Sequence, residues 1–476
     1  MPRTYPFLIG GELMMPERPR EVRSPFSGDV AGEAGDASGL EMERALDAAA
    51  GAREEMAALP AHRRRDALLE LERAVTLVQD ELAELMAQEA AKPLRDARVE
   101  VARARLTLHT AAAEAERIAG EWQPLDVTPG AEGKFAIARR FPRGLVAGIT
   151  PFNFPLNLVL HKLAPAVAAG NTILIKASPR TPLTALRLGE LAQGLDLPAG
   201  AVNIVAGGAD AVAPLLADDR VAMISFTGSA AVGWPLRARA GSKHVALELG
   251  GNAANIVHAD ADLDWAAERL AAGGFGYAGQ SCISAQRVFA QQTVYAALRD
   301  KLVARAQALR LGDPLDPATD VGPMITDQAA QRAEQWIREA VAGGARLLCG
   351  GQRDGGFLTP AVIENARPEM QVCREEAFAP LLVLQPYATP EEAFAAANAG
   401  RYGLQAGLFT RDWDVIWRAF RALQVGGLVL NDVSASRVEP MPYGGVKQSG
   451  LGREGLRAAI EDMTELRVLL AREPMP

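Results

Sequence analysis

Four short stretches of the chain carry residue types that can do chemistry together. In GYAGQSCISAQR, Cys282 stands among glycine, serine and glutamine in a chain with only three cysteines. A structural cysteine behaves as a small hydrophobe and sits inside apolar periodic segments, where its thiol is inert. Small polar neighbours instead predict a tight, partly accessible backbone, the setting in which a thiol ionises and meets an electrophile. In VALELGGNAANIV, Glu248 ends an apolar strand and is followed by Leu249, Gly250 and Gly251. A carboxylate there is costly unless it is paired or raised in pKa, and a general base near neutral pH requires a raised pKa.

In ITPFNFPLNLVLHKLAP, Asn153 lies between two aromatics and next to a proline, directly after a strand. Its amide can donate to a developing oxyanion beyond the carboxyl end of that strand, or it can cap the helix that follows. In SFTGSAAVG a strand runs into a Gly-Ser turn and a helix, so Gly228, Ser229 and Gly233 allow close approach to a pyrophosphate. The spacing is not G-x-G-x-x-G, and a plain strand-to-helix turn would look similar. An amide donor, a phosphate turn, an apolar-flanked carboxylate and a thiol are the set that oxidation of an aldehyde through a thioester requires.

The elements that must position these residues follow from the pattern of apolar residues. GLVAGIT, NTILIKA, AVNIVAG, VAMISFTG and ANIVHA are short apolar runs separated by helical stretches. Strands of this kind are buried on both faces and indicate a doubly wound parallel sheet. Between Gly39 and Gly120 the chain predicts amphipathic helices broken at Pro60 and Pro93, and EWQPLDVTPGAEGKFAIARRFPRG predicts an extended hairpin. A second alternating region follows Cys282, with RVFAQ, helices near Val294–Leu309 and Gln328–Ala342, and strands near RLLCG and LLVLQPY. The carboxyl terminus is glycine-rich, then helical, then a strand suited to pairing across a subunit interface.

A length of 476 residues predicts two or three domains. The 49% hydrophobic and 23% charged content is that of a soluble globular protein, and a net charge of -8 gives no footprint for nucleic acid or anionic membrane. The amino terminus lacks the apolar core of a secretory signal, and no apolar run approaches the roughly 18 residues of a membrane span, so a cytoplasmic location is expected. Three scattered cysteines and five histidines argue against a disulfide framework and against a metal site.

The motifs PFNFP, FTGS, ELGGNAANIV, GQSC, EEAFAP and MPYGGVKQSGLGREG, in this order, resemble those of the aldehyde dehydrogenase superfamily. The resemblance runs from about residue 5 to the carboxyl terminus. It implies two Rossmann-like doubly wound α/β domains plus a β-hairpin oligomerisation element. The NAD(P)-binding domain would comprise residues 1–118 and 142–248, the catalytic domain 249–432, and the oligomerisation element 119–141 with 455–476. The resemblance makes Cys282 the nucleophile and Glu248 the base, with Asn153 and the Cys282 backbone N–H forming an oxyanion hole. It places Lys176 at the adenosine ribose, Ser229 at the pyrophosphate, and Glu376 and Phe378 at the nicotinamide ribose and ring. Ile149, Thr150, Pro151, Ser178, Arg180, Gly207, Gly228 and Leu249 complete the implied cofactor site.

Two departures bear on specificity. Many NAD-dependent members carry a glutamate three residues after the lysine, where this chain has Pro179 followed by Arg180. No carboxylate remains there to repel a 2′-phosphate, so NADP is favoured slightly over NAD. Along the implied substrate tunnel, Phe154, His161, Ser281, Arg437 and Tyr443 stand where members acting on fatty or aromatic aldehydes often carry bulky apolar residues at the His161 position. Histidine and arginine suit a small hydroxylated or anionic aldehyde. The carboxyl-terminal pattern is similar to the branch of lactaldehyde, phosphonoacetaldehyde and non-phosphorylating glyceraldehyde-3-phosphate dehydrogenases. Thiol esterase or acyltransferase activity and an idle scaffold are the competing readings. The cofactor residues count against the first, and retention of both Cys282 and Glu248 counts against the second. The expected assembly is a homodimer or homotetramer.

Overall fold

Two open, mostly parallel sheets organise the computed structural model, which describes residues 2–473. The outer limits of the expected domains, at residues 1 and 476, lie outside the described residues. The first sheet is built on parallel strands in the order Val202–Ala206, Thr172–Ala177, Leu145–Ile149, Val221–Thr227 and His244–Glu248. The three at Leu145–Ile149, Thr172–Ala177 and Val202–Ala206 are buried throughout, as their uninterrupted apolar sequences require. Phe7–Ile9 and Glu12–Met14 extend one edge antiparallel, and Gly450–Leu451 returns from the carboxyl-terminal region to pair with His244–Glu248 at the other.

The parallel part of this sheet starts at Leu145–Ile149, builds outward on one side, then crosses back to Val221–Thr227. The strand order therefore reverses between these two strands, and ligands of open α/β sheets bind outside the carboxyl ends at such a point. There Ile149 continues into Thr150–Asn153, and Thr227 into Gly228 and Ser229. The helices Ala61–Leu77 and Leu94–Ala115 begin directly after Pro60 and Pro93, whose missing N–H groups cost nothing at a helix start.

The second sheet has the order Arg346–Cys349, Ala361–Glu364, Leu381–Tyr387, Ala285–Gln291, Ala253–Val257, Gln405–Phe409 and Gly427–Leu430, parallel except at the first strand. His244–Glu248 passes through residues 249–252 straight into Ala253–Val257. The carboxyl ends of the first sheet thus meet loops that lead into the amino ends of the second. Cys282 precedes Ala285–Gln291, and residues 376–378 precede Leu381–Tyr387.

A third, antiparallel sheet joins Thr464–Arg472, Lys134–Pro142 and Glu121–Pro124. The helix Leu456–Asp462, placed by sequence with this element, sends Leu456 and Ile460 into the core of the first domain. Leu466, Val468, Leu469 and Leu470 are exposed on the terminal strand. Among the described residues no helix is long and apolar enough to cross a membrane.

Candidate active site

A cavity of about 350 Å³ opens where the two sheets meet and brings Cys282, Glu248 and Asn153 together. Cys282 is part-exposed to it. Burial by surrounding protein pushes the thiol up to about 11, opposed by a hydrogen bond with Tyr443, whose Oη lies 3.0 Å from Sγ. The resting thiol is therefore held toward its protonated form near neutral pH. Glu248 is buried at the strand end, as its apolar flank predicts, and Oε2 has no hydrogen-bond partner. Burial, then the nearby charge of Glu454, raises it well above the usual carboxylate range, against Arg437, Lys162 and Arg453. An unpartnered carboxylate held ready to take a proton is the state a general base requires.

Asn153 is not a helix cap. The helix Asn157–Ala169 receives no side-chain cap from its N-cap residue Leu156, and Glu100 accepts the N–H groups of Leu156 and Asn157 instead. Asn153 Nδ2 donates to the Gln280 carbonyl at 3.0 Å, which fixes the amide over the loop that carries Cys282. Its second amide hydrogen remains for a ligand oxygen.

The implied cofactor residues fall into two groups. Pro151, Gly228, Ser229, Leu249, Glu376 and Phe378 line the cavity. Ser229 occupies the N-cap of the helix Ala230–Arg239 but makes no side-chain capping bond, which leaves its hydroxyl and the N–H groups of Ala230 and Ala231 for an anion. Gly228 and Gly233 are shut by their own neighbours: an added Cβ would lie 2.5 Å from the Phe226 ring at Gly228 and 2.5 Å from Leu249 at Gly233. Gly233 serves packing rather than ligand approach. Glu376 accepts from the Gly251 N–H at 3.0 Å and is pushed up to about 7 by burial. Its carboxylate fills the place a Gly250 side chain would take, with Oε2 2.1 Å from an added Cβ. Phe378 adopts the left-handed φ of 49° and packs edge-on against Phe152, a strained backbone of the kind kept at ligand sites.

Lys176, Ser178, Arg180 and Gly207 cluster beyond the cavity at the ends of neighbouring strands, with Ile149 and Thr150 beside them. Lys176 Nζ is buried, donates to the Gly207 carbonyl at 2.9 Å and is lowered to about 8 by burial. Thr150 N–H donates to the Lys176 carbonyl, and Ser178 Oγ accepts from the Arg180 N–H at 3.2 Å, while the Arg180 side chain is exposed. Sequence reasoning did not single out Arg20. It forms a two-bond pair with Asp36 and donates to the Pro179 carbonyl at 2.5 Å, on the rim of this cluster.

At the substrate end the sequence expectation changes in one respect. His161 is not a free hydrogen-bond donor: Nε2 meets Glu439 at 2.6 Å and Nδ1 meets Glu454 at 3.2 Å, all three buried. Burial would raise both carboxyls, but His161 with Arg103 and Arg437 outweighs it at Glu439, and Lys162 with His161 and Arg437 at Glu454. Both are held well below the usual range. Arg437 is no surface partner of Glu439. Its side chain is 5% exposed, lies 3.6 Å from Glu454, stacks 3.7 Å over the Tyr443 ring, and leaves Nε without a partner. Phe154, Ser281 and Tyr443 line the same wall. Arg103 was not foreseen. It enters from the helix Leu94–Ala115, fixes Nε on Glu439 at 2.6 Å and lines the cavity. Among the described residues no cluster of ligating side chains is placed to hold a metal.

The sequence profile of the aldehyde dehydrogenase family matches residues 14–469. A 3-sulfolactaldehyde dehydrogenase of Priestia aryabhattai is 42% identical over 469 residues, covering 98% of each chain. The solved structure of aldehyde dehydrogenase 21 from Physcomitrella patens, in complex with the reaction product succinate, superposes with a TM-score of 0.97 at 40% identity, over 99% of each chain. The glyceraldehyde-3-phosphate dehydrogenase of Methanocaldococcus jannaschii, complexed with NADP, gives a TM-score of 0.92 at 36% identity, covering 96% of this chain and all of its own.

Proposed function

The chain belongs to the aldehyde dehydrogenase family, and from that premise we propose that it oxidises a short aldehyde bearing a terminal anion, through a thioester on Cys282. The observation that carries the substrate class is Arg437, a guanidinium 5% exposed on the cavity wall, which shares that lining with a second guanidinium, Arg103. Planar guanidinium groups suit carboxylate, phosphate or sulfonate oxygens. Of the three relatives above, one is named for 3-sulfolactaldehyde, one for glyceraldehyde 3-phosphate, and one is in complex with its reaction product succinate, and each of these molecules carries such a group.

The residues fit a nicotinamide dinucleotide. Lys176 and Gly207 would hold the adenosine ribose, Ser229 the pyrophosphate, and Glu376 and Phe378 the nicotinamide ribose and ring. Pro179 in place of an acidic residue, with Arg20 and Arg180 on the rim, favours NADP over NAD. When bound, the nicotinamide accepts the hydride of the aldehyde carbon. The chain's own residues do the rest. Cys282 passes its proton to solvent water in the open cavity and forms the C–S bond as the carbonyl π bond opens, with Tyr443 donating to the thiolate. The carbonyl oxygen gains charge against Asn153 Nδ2 and the Cys282 N–H. Glu248 then takes a proton from water as its oxygen attacks the acyl carbon, the C–S bond breaks, and the carboxylate is released. Glu248 as base favours hydrolysis over transfer to another thiol. The exposed apolar face of Thr464–Arg472 supports a homodimer or homotetramer.

Kinetics with succinate semialdehyde, glyceraldehyde 3-phosphate and hexanal test the substrate class. The anionic aldehydes should win in kcat/KM, and a preference for hexanal would refute the anion reading while leaving the dehydrogenase assignment intact.

A further inference from the structure

A buried ion pair that no step above uses contacts the two segments that carry the halves of the proposed oxyanion hole. Lys92 and Glu100 are each 1% exposed and paired to one another. Withdrawing two charges from water is expensive, and apolar residues of similar volume often serve stability as well or better. Fold stability alone therefore does not account for the pair, whereas what it holds does.

Glu100 Oε1 accepts the N–H groups of Leu156 and Asn157, both at 3.0 Å. This supplies the cap that the helix Asn157–Ala169 lacks, and it fixes the turn that carries Asn153 and Phe154. On its other side, Lys92 Nζ stands 3.8 Å from the centroid of the Phe154 ring and 4.5 Å from that of Tyr277. Tyr277 Oη donates to the Ala90 carbonyl at 3.2 Å, two residues before Lys92. Tyr277 and Ala278 have φ of 48° and 52°, a left-handed pair of non-glycine residues that persists only when its surroundings impose it. This turn delivers Gln280, whose carbonyl receives Asn153, and then Cys282. One ammonium thus bridges the ring next to Asn153 and the ring that opens the nucleophile loop, on a fully desolvated site where cation–π attraction is strongest.

We propose that Lys92 and Glu100 are positioning residues for acylation, holding the Asn153 turn and the Tyr277–Cys282 loop at the separation the oxyanion needs. The proposal rests on the reading of Asn153 as an oxyanion donor. A misplacement of about 1 Å costs on the order of 100-fold in rate, so the pair has kinetic leverage without touching substrate.

The test is the first-turnover rate of reduced-cofactor formation in the full-length enzyme. Lys92→Met should slow it about 10- to 100-fold, with the cofactor dissociation constant unchanged, and Lys92→Arg should recover part of the loss. In an Asn153→Ala background, Lys92→Met should change the rate by no more than about twofold, because residues acting through one group are not additive. Glu100→Gln, which keeps an acceptor for the two N–H groups, supplies the same comparison should Lys92→Met not fold. A first-turnover rate unaffected by either variant while thermal stability falls would assign the pair to stability alone and overturn the proposal. So would a full, additive loss in the Asn153→Ala background. An Asn153→Ala enzyme that acylates normally would overturn the oxyanion reading itself, and the positioning role with it.

Discussion

Tyr443 Oη lies 3.0 Å from Cys282 Sγ, and the Arg437 guanidinium stands over the face of the same ring at 3.7 Å from its centroid. Burial holds the phenol well above its ordinary pKa, so Tyr443 keeps its proton and is the donor to any thiolate that forms. A hydrogen bond to a charged group contributes about 1.5–3 kcal/mol. Tyr443→Phe should therefore slow acylation roughly 10- to 100-fold and raise the pH at which the thiol reacts. Rapid-mixing measurement of the first turnover checks this, and an unchanged rate would show that the contact does not reach the transition state.

The pH dependence follows from two deprotonation requirements that run in the same direction. With Cys282 pushed up to about 11, the thiolate fraction of the free enzyme rises with pH across the whole range below that value. Alkylation of Cys282 by iodoacetamide should accelerate about tenfold per pH unit from 7 to 9, without the plateau an ordinary thiol would show near 8.5. Glu248, raised above the usual carboxylate range, is protonated at low pH and becomes a base only as pH rises through its elevated value. Deacylation should likewise fall on acidification. In Glu248→Gln the first turnover should survive while later turnovers stall.

How far these residues were legible depends on whether their partners are near in sequence. The parallel strands and the roles of Cys282, Glu248 and Asn153 could be read locally, because each is a residue of contrasting type at the end of an apolar run. Arg103 could not. Its helix also carries Arg95, Arg98 and Arg105, and nothing in the spacing separates one guanidinium from the others. Only the fold brings it to Glu439, 336 residues away. His161, expected along the substrate tunnel, lines the cavity, but its engagement by two carboxylates was not legible, because they lie 278 and 293 residues downstream. A histidine's role is set by what its two nitrogens meet, and that is a tertiary fact.

The same network predicts how the arginines and the histidine differ. Arg437→Ala and Arg103→Ala should each raise KM for an anionic aldehyde by about 10-fold or more, corresponding to roughly 1.5–3 kcal/mol for a charged hydrogen bond, and should change a neutral aldehyde of similar size little. His161→Asn cannot span both Glu439 and Glu454 and leaves a buried carboxylate short of a hydrogen-bond partner, so it should cost stability and lower kcat for both aldehyde types alike. A selective loss of the anionic substrate in His161→Asn would return the ring to direct substrate contact.

Arg20 gives the most specific prediction for the cofactor. Its guanidinium covers the Asp36 carboxylate and reaches the carbonyl of Pro179, the residue that stands where an acidic side chain would exclude a 2′-phosphate. Asp36 is near enough to raise the pKa of Lys176. Removing Arg20 uncovers a negative charge beside the site where NADP carries its extra two, and the pair is solvent-exposed, so the effect is modest and screened by salt. Arg20→Ala should lower kcat/KM for NADP about three- to tenfold, roughly 0.7–1.4 kcal/mol, and leave the NAD value unchanged. Asp36→Asn in the same background should restore NADP use. Equal losses with both cofactors would place Arg20 in the packing of the amino-terminal strands instead, and an Arg180→Ala variant with the larger NADP loss would move the phosphate contact to the exposed side chain.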